Sequence, residues 1–82
     1  MRFSGQIRAA RALLGLRQDQ LAKAAKIGLA TLQRIEQTDG LVQANFSTVL
    51  KIQGALEKAG IEFTDDDGFV GVRIEQKRWR NA

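Results

Sequence analysis

The stretch QDQLAKAAKIGLATLQRIE, residues 18–36, decides the fold. Apolar residues recur in it at helical spacing on both sides of a short, glycine-containing segment, which indicates two short amphipathic helices joined by a tight turn. We predict one helix from about Gln18 to Ala25 and a second that begins after Gly28. This arrangement is typical of a DNA-binding helix-turn-helix, in which the second helix enters the major groove.

The flanking residues predict two further helices. Ser4 is expected to cap the first helix and Gly15 to end it, while Asn45 is expected to cap the last helix and Gly60 to end it. Between them, residues 37–44 have the composition of a loop. The predicted buried faces consist of Ile7, Ala10, Leu13 and Leu14 in the first helix, and of Phe46, Val49, Ile52, Leu56 and Ala59 in the last.

After Gly60 the apolar residues alternate with polar or small ones, which predicts a short antiparallel β-hairpin. The run Asp65–Asp67 lacks the alternating spacing and the distal glutamate of a calcium loop, so we interpret it as part of the hairpin turn. A lone two-stranded hairpin is only marginally stable, and this one therefore needs cover from the helices or from a second subunit. We predict dimerisation through its apolar residues, namely Phe63, Val70, Val72 and Ile74.

The expected fold class is therefore mainly α, a bundle of about four helices with a short C-terminal β-hairpin. Its 82 residues make a single unit with a thin stability margin. We divide it into a helix-turn-helix domain (1–60), the hairpin (61–76) as a possible dimerisation element, and a basic tail (77–82).

Charge is distributed unevenly along the chain. Residues 1–35 carry seven basic side chains and one acidic side chain, residues 36–76 carry three basic and eight acidic ones, and the tail carries three basic ones. A polyanion such as DNA is drawn to the basic part by a force that weakens with salt. The alternative interpretation is a merely solvated basic surface.

Several function classes are excluded by composition. The chain has no cysteine and no histidine, which argues against disulfides, the usual zinc sites and the commonest general base. We therefore expect no enzyme activity, no metal and no cofactor. The apolar runs are too short for a membrane span or a signal peptide, so we expect a cytoplasmic protein that joins the nucleoid when bound to DNA.

The segment LGLRQDQLAKAAKIGLATLQRIE, residues 14–36, resembles the helix-turn-helix of the Cro/cI-type (XRE) family of phage and bacterial repressors. The resemblance extends from Ile7 to Leu56 and implies a lambda-repressor-like bundle that binds double-stranded DNA. It also implies an ion pair between Arg11 and Glu36, which would link the first helix to the end of the recognition helix. The DNA-binding positions it implies are Gln18, Leu29, Ala30, Thr31, Gln33 and Arg34. We add Lys26 in the turn, because its charge attracts phosphate.

The side chains at these positions suit different parts of DNA. The fork of Arg34 fits guanine O6 and N7, Gln33 fits adenine or a phosphate, and apolar Leu29 or Ala30 fits a thymine methyl. Thr31 is expected to hold a phosphate. The competing interpretation is that Gln33 and Arg34 only solvate the outer face of the helix, and that Leu29 packs within the helix or core.

The chain departs from the family pattern at several positions. Lys26 stands where the turn glycine is usual, which costs about 1 kcal/mol if its backbone is left-handed, offset in part by attraction to phosphate. Arg17 replaces the usual Ser or Thr cap, so we expect a loose or water-satisfied helix start. The loop after Glu36 lacks the basic side chain with which some members enter the minor groove. Recognition of the operator is then expected to depend more on contacts to the DNA backbone and on DNA shape.

The expected function is a homodimeric transcriptional repressor at a two-fold symmetric operator. Two alternatives remain: the antitoxin of a toxin–antitoxin pair, and a protein-interaction module that binds a regulatory partner through Leu29, Leu41 and Val42. No ligand-binding domain is apparent after the hairpin. Trp79 in the basic tail is expected either to contact the DNA backbone or a partner, or to belong to a core-clamping or disordered tail.

Overall fold

A computed structural model of the chain describes residues 1–79. Four helices are followed by a two-stranded antiparallel sheet and one turn of 3₁₀ helix, as the alternation of sequence periods predicts. The elements are α1 (Ser4–Leu14), α2 (Gln18–Ala25), α3 (Leu29–Gln37), α4 (Phe46–Lys58), β1 (Ile61–Asp66), β2 (Phe69–Ile74) and the 3₁₀ turn Gln76–Arg78.

Helix boundaries follow the local chemistry at most ends. α1 ends at Gly15, whose φ of 68° lies in the left-handed region, and the Asn45 side chain accepts a hydrogen bond from the Thr48 amide to cap α4. The prediction that Ser4 caps α1 is wrong, because Ser4 is already helical and fully buried, and its Oγ donates to the Ile35 carbonyl at 2.9 Å. The Ser4 hydroxyl therefore forms a tertiary contact with α3 and does not cap α1.

The core lies between the four helices and the start of the hairpin. Its central side chains come from every helix and from β1, so that no pair of elements could bury its apolar face alone. The buried apolar residues are Ile7, Ala10, Leu21, Ala22, Ala25, Leu32, Ile35, Ile52, Leu56 and Ile61.

Of the residues predicted for the buried face of α4, only Ile52 and Leu56 belong to the core, whereas Val49 and Ala59 are half-buried and Phe46 is exposed. Phe46 is 75% exposed, whereas Ile52 and Leu56 are fully buried. The six residues from Phe46 to Ile52 turn the helix by about 600°, which places the two side chains about 120° apart. A series of apolar residues spaced three apart therefore moves gradually around the helix and leaves its buried face.

The hairpin closes through the turn Asp67–Gly68, where both residues have positive φ (51° and 81°), as a type I′ turn requires. Its register pairs Ile61 with Ile74 and Phe63 with Val72. These pairs lie on one face, which packs against α1 and α4. The helices of the same chain therefore supply the cover for this part of the hairpin.

Polar contacts hold the hairpin and the N-terminus together. The amide of the buried Gln6 side chain donates to the Gly71 carbonyl at 3.0 Å, and Arg2 pairs with Asp65 at 2.6 Å. An isolated bridge between Phe3 and Leu41 ties the α3–α4 loop to the same end of the chain. This loop is thereby anchored beside the start of α1.

Candidate nucleic-acid interface

The turn between α2 and α3 has the conformation that a helix-turn-helix needs. Lys26 ends α2 with φ 59° and ψ 45°, and the following amide of Ile27 donates to the Ala22 carbonyl at 3.0 Å. Ile27 is half-buried against the core. Lys26 has the left-handed conformation for which the sequence implied a cost, so a lysine here holds a backbone position that glycine adopts more easily.

α3 presents one polar face to solvent. Leu32, Ile35 and Glu36 are buried, so the helix is fixed on its inner side. The outer side carries Leu29, Ala30, Gln33, Arg34 and Gln37, all of them exposed. An exposed helix face with one long cation and two amides has the donors and acceptors that read base edges in the major groove.

Positive charge near this face is not neutralised by the protein. Within residues 1–79 no carboxylate pairs with Lys23, Lys26 or Arg34, although six ion pairs form elsewhere. The three side chains are exposed. They are therefore available to phosphates or base edges at no cost of breaking an internal ion pair.

A buried ionic network lies behind α3. The Glu36 carboxylate, 2% exposed, accepts hydrogen bonds from Arg11 Nε and Nη2 at 2.9 and 2.7 Å. Gln18 Nε2 donates to the same carboxylate at 3.2 Å, and Arg11 Nη1 donates to the Leu16 carbonyl at 3.1 Å. The network joins α1, the start of α2 and the end of α3, and so fixes how the two helices of the motif are oriented.

Gln18 has a definite position in this network. One hydrogen of its side-chain amide points to Glu36, while the side chain is only half-buried at the first position of α2. The second amide hydrogen and the free backbone N–H groups of the helix start can then serve an anion from outside. This geometry suits a phosphate contact.

The start of α2 is better held than its sequence suggests. The Gln20 side chain accepts from the Arg17 amide at 2.9 Å, and the Arg17 guanidinium donates to both carboxylate oxygens of Asp19 at 3.0 and 3.3 Å. The chain is thus ordered where α2 begins, but no side-chain hydrogen bond from Arg17 caps the helix, so the expectation that water satisfies its first amides stays a prediction. The hydrogen bond from Arg17 holds the pKa of Asp19 below its ordinary value.

A family model described as helix-turn-helix matches residues 7–58, which include α1 to α4. The chain belongs to this XRE-type helix-turn-helix family. It is a DNA-binding transcription regulator, since that is what the family comprises, and the family is regulatory and not enzymatic. A comparison with curated proteins gave no match.

The helix-turn-helix places the predicted DNA-binding residues along one connected stretch. Leu29 is 40% exposed, and Thr31 is half-buried beside Gly28. The exposure of Leu29 excludes full burial in the core, but half of the side chain still packs on the protein. Lys26 precedes these residues directly.

The four residues predicted for dimerisation do not form one exposed surface. Phe63, Val72 and Ile74 are half-buried against the chain's own core, and Val70 is 44% exposed. The neighbouring Phe69 is 79% exposed and was not singled out by the sequence. Most of the apolar content of the hairpin thus stabilises the single chain.

Sequence reasoning missed the side chains that hold the C-terminal end of α3. Ser4 Oγ and Thr38 Oγ1 both donate to the Ile35 carbonyl at 2.9 Å, and Arg8 Nη1 donates to the Glu36 carbonyl. These carbonyls have no partner inside the helix. Thr38 after the last helical residue was the available signal, whereas the contacts of α1 depend on the tertiary fold.

The C-terminal turn packs beside the hairpin. Trp79 borders an apolar groove with Leu13, Val72 and Ile74 and is itself 43% exposed. Arg78 lies over Gly60, with its Nε 3.0 Å from where a β carbon would be. The rest of the predicted tail, residues 80–82, lies outside the described residues.

In the described part of the chain, no group of three or more acidic, histidine or cysteine side chains could hold a metal ion. No helix among residues 1–79 is long and apolar enough to cross a membrane.

Proposed function

We propose that this protein is a sequence-specific, homodimeric transcriptional repressor that occupies a two-fold symmetric operator. The observation that carries the proposal is the outer face of α3, where Gln33 and Arg34 are exposed and Arg34 has no ion-pair partner within residues 1–79. A cation left unpaired on the exposed face of a helix is available to a base edge without the loss of an internal ion pair.

In this proposal α3 lies in the major groove. Arg34 donates two parallel hydrogen bonds to guanine O6 and N7, and Gln33 pairs with adenine or with a phosphate. Leu29 and Ala30 contact thymine methyls, and Thr31 contacts a phosphate. Each of these contacts follows from the side-chain chemistry and from the exposure of α3.

The backbone contacts come from the motif's other parts. Gln18, oriented by Glu36, and the free amides at the start of α2 hold one phosphate, and Lys26 in the turn attracts another. These contacts position the protein without reading sequence. Repression follows by occlusion, because a bound dimer prevents other proteins from occupying the promoter.

A second candidate is a protein-interaction module that recognises a regulatory partner. It is favoured by the exposed leucines Leu29 and Leu41, at 40% and 56% exposure. Titration of DNA binding with salt distinguishes the two functions. The repressor loses affinity steeply as salt rises, because bound cations release counterions from DNA, whereas the module shows little DNA binding in any salt.

The decisive variants are Arg34→Ala and Arg34→Lys, with Lys51→Ala on α4 as a control that also removes one positive charge. We expect Arg34→Ala to weaken binding to the preferred site by about 1–3 kcal/mol. Arg34→Lys keeps the charge but loses the fork, so it should relax the preference at one base position while nonspecific affinity stays. Equal effects of Arg34→Ala and Lys51→Ala on every sequence would contradict base reading by Arg34.

A further inference from the structure

The outer edge of β2 carries a row of backbone groups that the hairpin itself does not use. In an antiparallel pair, residues that share two hydrogen bonds alternate with residues whose N–H and C=O groups point outward. The pair next to the two-residue turn, Asp66 with Phe69, is hydrogen-bonded, so the outward groups of β2 belong to Val70, Val72 and Ile74. No group in the described part of the chain bonds to them.

The contacts of Gln6 agree with this assignment. Its side-chain nitrogen lies 3.0 Å from the Gly71 carbonyl oxygen and 3.5 Å from the Thr64 carbonyl oxygen, which belong to neighbouring strands. One nitrogen reaches both oxygens only if both point into the space between the strands, as they do in a hydrogen-bonded pair. Val70 and Val72, on either side of Gly71, therefore direct their backbone groups outward.

The two edges of the hairpin differ in how they are protected against pairing. Soluble proteins guard strand edges with charged side chains, proline or a β-bulge. β1 carries three carboxylates, and Arg2 lies against it in an ion pair with Asp65. β2 has the sequence FVGVRI, without an acidic residue, a proline or a break in its register, and its Arg73 is paired with Glu62 of its own chain. The β2 edge is therefore the one open to another strand.

An apolar groove lies along the open edge. Leu13 of α1, Val72 and Ile74 of β2, and Trp79 border it, and no residue of β1 does. Its volume is about 320 Å³, which leaves room for an aliphatic side chain. An added strand would thus meet both unpaired backbone groups and apolar surface.

The helix above this edge leaves space for a second copy. α1 packs on the hairpin through Gln6 and Leu13. The exposed positions on its outer flank, turned away from the buried core, are small: Gly5, Ala9 and Ala12. The distance between two packed helices depends on the side chains at their contact, so two α1 helices can lie close together over a shared sheet.

A second copy fits the β2 edge in one register. If two β2 strands pair antiparallel about a two-fold axis at Val72, each Val72 faces its counterpart and each Val70 faces Ile74 of the other copy. Every outward N–H of one strand then meets an outward C=O of the other. A shift of the axis along the strand leaves some of these groups unpaired, because the row ends at the turn on one side and at the end of β2 on the other.

The same register matches the side chains. Val70, 44% exposed in the single chain, comes to lie beside Ile74 of the other copy, at the apolar groove. On the opposite face of the sheet Arg73 stands across from Gly71, so no like charges are directly opposed. One two-fold operation thus supplies partners for the row of backbone groups and covers the exposed valine.

We propose that a second copy of this chain pairs its β2 strand antiparallel with β2, about a two-fold axis at Val72, and extends the hairpin into a four-stranded sheet. This inference rests on the homodimer of the proposed function and gives it a location. Pairing along the backbone edge leaves Val72 and Ile74 packed on the helices of their own chain. A four-stranded sheet with a covered apolar face is also more stable than an isolated hairpin.

Proline substitutions at two register partners test the proposal in the full chain. Val70→Pro removes an outward N–H of β2, and Asp65→Pro, the matched control, removes the corresponding N–H of β1. Neither N–H belongs to the ladder within the hairpin, so both variants should keep the circular dichroism of the wild type.

In sedimentation equilibrium from 5 to 500 µM, we expect the wild type to self-associate. Val70→Pro should raise the dimer dissociation constant about tenfold or more, because each copy loses one hydrogen bond to the other. Asp65→Pro should leave the constant unchanged, since the exposed ion pair that it also removes contributes little.

A disulfide tests the register independently. The chain has no cysteine, so a single introduced cysteine reports on one position. In Val72→Cys the two thiols meet at the axis, where the α carbons are about 5.5 Å apart, a separation that a disulfide spans. Phe69→Cys is the control: this position is 79% exposed, but its two copies lie about 20 Å apart in the proposed register. Mild oxidation should cross-link Val72→Cys and leave Phe69→Cys largely monomeric.

A wild type that remains monomeric at 500 µM overturns the proposal and leaves the edge to a strand of a different protein. Equal self-association of Val70→Pro and the wild type also overturns it, as does preferential cross-linking of Phe69→Cys. If Val70→Pro does not fold, the cross-link decides. DNA binding is a separate outcome: a protein that dimerises through β2 yet binds no DNA contradicts the proposed function and leaves the interface standing.

Discussion

Replacing Arg11 by alanine should destabilise the fold more than any surface charge change. In the structure the Glu36 carboxylate is almost completely buried and accepts hydrogen bonds from both Nε and Nη2 of Arg11. After the substitution only the neutral amide of Gln18 would still donate to that carboxylate among the described side chains. The variant would bury the negative charge of Glu36 without a counter-ion, and this lowers the free energy of unfolding.

The magnitude follows from burial. Removal of one partner from a buried ion pair costs about 3–5 kcal/mol, and the 20% exposure of Arg11 admits some water, so we expect about 2–4 kcal/mol. A domain of this size is stable by about 4–12 kcal/mol in total. At about 4–8 °C per kcal/mol, the melting temperature should fall by on the order of 8–32 °C.

Urea unfolding followed by circular dichroism measures this loss, and a double-mutant cycle with Glu36→Gln isolates the pair. We expect a coupling energy above about 1 kcal/mol, the upper end for exposed pairs. Arg73→Ala is the control, because Arg73 pairs with Glu62 on the exposed hairpin. The reasoning is refuted if Arg11→Ala costs no more free energy of unfolding than Arg73→Ala.

Three further changes test neighbouring parts of the site. Lys26→Gly should raise the free energy of unfolding by about 1 kcal/mol, because glycine adopts the positive φ more easily. The same variant should bind DNA more weakly, because it lacks the positive charge. A variant that is less stable than the wild type in urea contradicts the first expectation. Arg17→Ala should raise the pKa of Asp19 measured by carbon NMR titration, because the hydrogen bond that lowers it is gone. Since the pKa of Asp19 is lowered in the folded protein, the small stabilisation of the fold by this pair is present at neutral pH and is lost as the pH falls below about 4. An Asp19 titration that is unchanged in Arg17→Ala argues against the pair in solution. Gln18→Ala should weaken binding to all DNA sequences similarly in a fluorescence anisotropy assay, and a selective loss at one base would contradict a phosphate contact.

Local signals determined the elements that the sequence predicts well. Asn45 caps α4, the Asp67–Gly68 turn closes the hairpin, and the helical period of residues 18–36 places α2 and α3. These features depend on neighbours a few residues away. The family match over residues 7–58 supports the same interpretation of this region.

Features that depend on distant contacts were not predictable. Ser4 looks like a helix cap, yet it bonds to Ile35 at the far end of α3. Gln6 is an ordinary helix residue in sequence, but its side chain holds the β2 carbonyl of Gly71. Phe46 fits an apolar spacing and still points to solvent. In each case the environment of the side chain depends on how distant segments pack, which one sequence does not reveal.

The DNA-facing residues fall between these two cases. The exposure of Arg34 and Gln33 follows from the helical period, because Leu32 and Ile35 occupy the buried side. The orientation of Gln18 by Glu36 depends on α1 and α3 meeting, as the contacts of Arg11 show. Base preference depends on the DNA as well, and is therefore a matter for experiment.

Selection of bound fragments from a random pool of duplex DNA, performed with the wild type and with Arg34→Ala, tests the central claim most directly. The account predicts that the wild type enriches a site of two inverted half-sites about one helical turn apart, and that Arg34→Ala loses the preference at one position in each half-site. No enriched sequence for the wild type, or the same sequence with the same preference for the variant, would contradict it.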